Sequence, residues 1–108
     1  MLSDRKNLAE SGVVNFTIEE DVRMRAISGH IFIDSRGFVH AHEMMKIHKE
    51  IIKSVRMLYE QTIAENPVID RRSLVQILRR EIGKLCFVLT GRTPIIMPII
   101  IEKNISNF

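Results

Sequence analysis

The histidines, the single cysteine and the basic side chains are the groups from which chemistry could be built in this 108-residue chain. His40, His42 and His48 stand close together, and a His-x-His pair near a third imidazole is a pattern met in zinc sites. No carboxylate occupies a ligand-like offset: Glu43 and Asp34 are merely nearby, and His48 falls on the apolar side of a helical pattern. These residues therefore read as surface and packed histidines, and His30 stands alone. Cys86 lies on the apolar side of a second helical pattern and reads as a small core residue, not a nucleophile. No serine sits in a nucleophile elbow, no glycine-rich loop precedes a helix, and the acidic residues are scattered. The expectation is a domain with no catalytic residue, no metal ligand and no cofactor of its own.

The basic residues form a clearer pattern. Lys46, Lys49, Lys53 and Arg56 recur at helical spacing along one side of the first helix. Such a row can track a phosphate backbone, or it can be an ordinary solvated face. Arg71-Arg72 and Arg79-Arg80 invite the same comparison on the second helix, but no aromatic residues interleave to make a stacking platform. Arg36 stands in a turn between Ser35 and Gly37, where it can clamp a carboxylate or phosphate or form a structural salt bridge. Gly37 can supply a positive φ there or let a neighbouring chain approach closely.

Composition sets the frame. Sixteen basic against thirteen acidic residues leave a net charge of +3, which permits contact with nucleic acid without demanding it. One cysteine rules out a disulfide within the chain and fits a reducing, cytoplasmic compartment. The longest apolar run, Ile95 to Ile101, is far shorter than the ~20 residues needed to cross a bilayer, so no membrane contact is expected. Hydrophobic residues at 45% are enough for one packed domain.

Residues 1–11 are polar and read as a linker or tail, and residues 12–108 as the domain. Val14, Phe16 and Ile18 alternate with polar neighbours, the mark of a half-buried strand. Glu19-Glu20-Asp21 reads as a solvated turn. A second strand follows from Val22, Met24 and Ala26 to Ile31-Phe32-Ile33, interrupted by a bend at Ser28-Gly29. Met44, His48, Ile51, Ile52, Val55, Leu58, Tyr59 and Thr62 then mark a helix over 41–65, ended by Asn66-Pro67. Asp70 begins a second helix, whose stripe is Leu74, Ile77, Leu78, Ile82, Leu85 and Leu89, with Gly91 and Pro94 at its end. Ile95 to Ile101 form a third strand, and the last residues, 103–108, read as frayed. The fold expected is α+β, a three-stranded sheet packed on two helices in the order β-β-α-α-β.

The last strand carries a conflict. It is apolar on both faces, which argues for burial, yet Pro98 cannot donate a ladder hydrogen bond, which argues for an edge. Either Pro98 sits at a bulge in a covered strand, or the strand is an edge covered by another domain or another copy. On the second reading Ile95, Ile96, Met97, Ile99, Ile100 and Ile101 are the residues of an oligomer interface.

Two segments carry a family resemblance. Ser35-Arg36-Gly37-Phe38-Val39 resembles a segment near the start of the C-terminal domain of ribonuclease J. Gly83 to Glu102 is similar to that family's closing helix and its arginine-proline-apolar-proline-apolar strand, and Asp4-Arg5 with Gly12-Val13-Val14 to the stretch leading into the domain. The resemblance covers nearly the whole chain in order. It implies a non-catalytic domain of a bacterial RNA-degrading enzyme whose metallo-β-lactamase and β-CASP domains hold two metal ions, usually zinc. That enzyme acts as a 5′-to-3′ exonuclease and an endonuclease in messenger RNA turnover and ribosomal RNA maturation. The resemblance further implies that this domain supports activity and assembly into dimers or tetramers, RNA being met through the parent enzyme. The family's catalytic motifs have no counterpart here. The family also has an aromatic residue where His40 stands, and more basic residues where Gly91 and Thr93 flank Arg92.

Overall fold

A computed structural model describes residues 12–103. The segment read as a linker (1–11) lies outside the described residues, as does the end read as frayed (103–108) except Lys103, which is paired as the last residue of the final strand. The elements are β1 (Val13–Asp21), β2 (Ala26–Ile27), β3 (Phe32–Arg36), α1 (Ala41–Glu65), α2 (Arg71–Thr90) and β4 (Ile95–Lys103). This is the expected α+β order, with the second expected strand divided into two short ones.

β1 is the centre of the sheet. It pairs antiparallel with β2 at its end and with β3 at its start, while β4 pairs parallel along its whole length. Since β4 occupies one edge of β1 throughout, β2 and β3 must follow one another along the other edge. Between the pairs Glu20↔Ile27 and Thr17↔Phe32 the β2–β3 side advances two residues more than β1, so the bend read at Ser28-Gly29 is a long bulge.

Two expectations are corrected at the β1–β2 turn. Glu19 to Asp21 belong to β1, whose every second residue from Val14 to Glu20 is buried. Val22 to Arg25 are the turn, not strand: the Asp21 carboxylate accepts the amides of Arg23 (3.0 Å) and Met24 (3.3 Å). An aspartate that satisfies its own turn in this way competes with a ladder, and the apolar alternation of Val22 and Met24 ends exposed.

Both helices keep their expected bounds. Asp70 stands at the N-cap position of α2 in extended backbone, and the Ser73 side chain beside it holds its carboxyl below the ordinary range. Gly91 closes α2 in the left-handed region at φ 74°, its N–H donating to Phe87 O at 2.7 Å. The helical hairpin also explains why β4 is parallel to β1. β3 ends beside Val13, α1 leads away, α2 returns, and β4 therefore starts where β1 starts, at Val13↔Ile95.

All of this covers only one face of the sheet. Val14, Phe16 and Ile18 of β1 and Ile96 and Ile100 of β4 pack with Ile47, Ile51, Val55 and Tyr59 of α1 and Leu74, Leu78, Ile82 and Cys86 of α2. Ile47, which the sequence reading left off the stripe, is buried, while Met44, His48, Ile52 and Leu58 are half-buried flanks.

Candidate functional site: the open face of the sheet

The conflict over Pro98 resolves through backbone parity. Ile95 N–H donates to Gly12 O at 2.9 Å, and Lys103 O accepts from Val22 N–H at 3.0 Å. Odd-numbered residues of β4 therefore turn their backbone groups to β1, in unbroken register from Ile95 to Lys103. Even-numbered residues turn theirs to the free edge, so the N–H that Pro98 lacks would have pointed outward. β4 is an edge strand: among the described residues it pairs with β1 alone.

Side chains alternate as well. Ile95, Met97, Ile99 and Ile101 face away from the helices and are between 43% and 48% exposed. Phe32 joins them across the sheet, in the row Phe32–Thr17–Ile99. Asn15 separates Asp34 from Met97, and Val13 separates Arg36 from Ile95. At the far end Lys103 Nζ meets Glu19 Oε1 at 3.1 Å. The result is an apolar stripe on an open sheet face with charged groups at its margins. The expected interface is corrected in two positions: Ile96 and Ile100 lie on the inner face, buried against α2, because a strand's period of two divides any continuous apolar run between two faces.

The basic residues do not form one surface. Lys46, Lys49 and Lys53 are exposed along α1 as expected. Arg56 is half-buried and donates from Nη2 to Gly29 O at 3.3 Å, tying α1 to the bulge. Arg36 lies on the opposite side of the sheet from the helices, since its neighbour Ser35 is buried against α1.

His48 is held by that neighbour: Ser35 Oγ and His48 Nε2 are 2.8 Å apart. Burial lowers the imidazole pKa from its ordinary 6.5, against the opposing pull of Asp34. A histidine whose folded pKa is lowered binds its proton more weakly than in the unfolded chain, so stability falls as pH drops below about 6.5. Urea melts between pH 7.5 and 5.5 should show this slope, and His48→Gln should flatten it. An unchanged slope in the variant would assign the dependence elsewhere. His40 and His42 stack with ring centroids 5.8 Å apart. Burial pushes the Cys86 thiol up to about 11, which leaves it inert at neutral pH. Among the described residues, no three His, Cys, Asp or Glu side chains converge to hold a metal ion.

The sequence reading missed a polar network at the end of β1. Glu20, only 5% exposed, accepts from Tyr59 Oη at 2.5 Å and from Arg25 Nε at 3.2 Å. Burial and the Glu20 carboxylate raise the Tyr59 pKa well above its usual value. Arg25, in the left-handed region at φ 50°, also donates from Nη1 to Pro67 O (3.2 Å) and Ile69 O (3.0 Å). One arginine thus fastens the β1–β2 turn to the α1–α2 loop. The detectable sign was a glutamate at the period-two position after Val14, Phe16 and Ile18.

The architecture defines the class: a two-layer α+β domain, with one sheet packed on two helices. The chain belongs to the ribonuclease J C-terminal domain family, whose sequence model matches residues 1–103. It is similar to Ribonuclease J 2 of Staphylococcus epidermidis, 36% identical over 102 residues that cover 94% of this chain and 18% of that protein. Ribonuclease J 2 of Staphylococcus aureus is 35% identical over the same length and shares. The chain therefore spans under a fifth of the length of these curated relatives. No described helix is long and apolar enough to cross a membrane.

Proposed function

We propose that the domain is the assembly element of a ribonuclease J-like enzyme, joining copies of the parent protein through the open face of its sheet. The observation that supports this is the half-exposed row Ile95, Met97, Ile99 and Ile101 with Phe32 beside it. Monomeric proteins seldom leave a contiguous apolar patch of this kind facing water. On this reading the parent is a cytoplasmic, metal-dependent RNA hydrolase with exonuclease and endonuclease activity. Its zinc ions belong to the catalytic domains in the remainder of that protein. RNA and a dimer or tetramer partner are met in that context.

Light scattering of the 108-residue chain across a concentration series tests the reading. A dimer or larger species that dissociates on dilution is expected. Ile99→Asp should leave a folded monomer, because position 99 lies on the outer face and not in the core. A wild-type chain that is monomeric at every concentration would rule out self-association through this face.

A second reading rests on the exposed row Lys46, Lys49 and Lys53, which points to RNA contact along α1. Affinity for a single-stranded oligoribonucleotide would then fall steeply with salt and be lost in Lys49→Glu/Lys53→Glu.

A further inference from the structure

The free edge of β4 and the flank of α2 beside it form a groove that neither the open face nor the lysine row uses. α2 runs antiparallel to β4: Arg71 pairs with Glu102 at one end, and Gly83 lies against Ile96 at the other. Between these points Arg71, Arg72, Val75, Gln76 and Arg79 line, with Glu102, an open depression of about 700 Å³. Arg72 and Arg79 are exposed and stand two turns apart, about 10 Å along the helix. The one carboxylate in the lining, Glu102, is already held by Arg71. Asp70 is the other acid near Arg72.

The edge itself adds direction. By the parity established above, the Pro98 carbonyl and the N–H and C=O groups of Ile100 and Glu102 point outward, unpaired among the described residues. Pro98 interrupts the donors, so the edge can be extended only over its C-terminal half, which is the half beside the arginines. We propose that this groove receives an extended acidic peptide, added as a further strand on β4 with its carboxylates set against Arg72 and Arg79. Alternate residues of such a strand point to the α2 side, where the arginines are. The intervening ones continue the outer row of Met97, Ile99 and Ile101, so the fitting sequence alternates acidic and apolar residues. A phosphate backbone matches less well. It brings acceptors alone to a wall that shows carbonyls between its amides, whereas a peptide supplies donors and acceptors in turn.

The test is fluorescence anisotropy of a labelled peptide of alternating glutamate and valine, about eight residues long, titrated with the 108-residue chain. Saturable binding is expected, weakened at least about tenfold in Arg72→Glu/Arg79→Glu. N-methylation of the central residues of the peptide should weaken binding at least about tenfold as well, because it removes the strand-pairing amides. The N-methylated peptide meets the unaltered protein, so a folding defect in the variant does not decide the outcome. Absence of saturable binding, indifference to N-methylation, equal affinity for a lysine-valine peptide, or displacement of the peptide by an equimolar oligouridylate would each overturn the assignment.

Discussion

Glu20→Ala should lower the stability of this domain by about 3 kcal/mol. The carboxylate is buried and accepts from both Tyr59 and Arg25, so its removal strands a phenol inside the core and leaves the arginine without its anion. Breaking a buried pair from one side costs more than the pair is worth, because the remaining partner keeps its desolvation penalty. Tyr59→Phe alone should cost about 1–2 kcal/mol, and close to nothing in the Glu20→Ala background, where the phenol has no acceptor to lose. Arg25 extends the effect to the α1–α2 loop, so amides around Pro67 to Ile69 should exchange faster in Glu20→Ala than in the wild type. Urea unfolding of the single and double variants measures all of this. A loss below about 1 kcal/mol for Glu20→Ala, or simple additivity with Tyr59→Phe, would show that the network does not act as a unit.

Gly12→Ala is the second large effect, with an expected loss above about 3 kcal/mol. Gly12 and Gly91 share nearly the same backbone angle, φ 79° and 74°. Their surroundings differ completely. A Cβ at Gly91 meets nothing within 4 Å, so Gly91→Ala should cost only the left-handed strain, about 1 kcal/mol. A Cβ at Gly12 would lie 2.3 Å from Arg36 O and 2.5 Å from Gly37 C, both of them backbone. Backbone at the end of a paired strand cannot step aside as a flexible side chain can. Gly12 O also anchors Ile95 N–H, so a shift at this point disturbs the start of β4 and the outer row it carries. Thermal melts of the two alanine variants separate strain from collision: comparable losses would mean that the contact with Arg36 and Gly37 relaxes freely.

That collision also separates the two roles foreseen for Gly37. It does take a positive φ of 66°, but the neighbour that approaches it is Gly12 of its own chain. The turn chemistry read at Asp34 to Gly37 began too early: Asp34, Ser35 and Arg36 are paired residues of β3, and the bend runs over 37–39. The sequence offered no means of seeing that the residue before β1 would cross this turn, since a contact between positions so far apart is set only when the strands pair.

Local rules carried the helices and the first strand. A period of 3.6 with Asn66-Pro67, Asp70 and Gly91 as stops bounds α1 and α2 where the structure has them, because those residues act on the backbone within a turn of themselves. Alternation marked Val14, Phe16 and Ile18 for the same reason. The turn at 22–25 escaped because alternating Val22, Met24 and Ala26 satisfies the strand pattern as well as a true strand does, and the Asp21 side chain decides against it. Apolarity on both sides of β4 was legible in the residues, as was the missing donor at Pro98. Which half of Ile95 to Ile101 meets α2 and which stays open was not. Register decides that, and register is fixed by the pairing of Val13 with Ile95, by the helical hairpin that returns the chain to that point, and by the absence of a second layer over the other face among the described residues. The sequence alone thus determined the two helices, the first and last strands and the order of the elements, through interactions within a few residues of each other. The open face, the Glu20 network and the β4 edge came only from tertiary structure, because each depends on strands and helices that the chain brings together across dozens of residues.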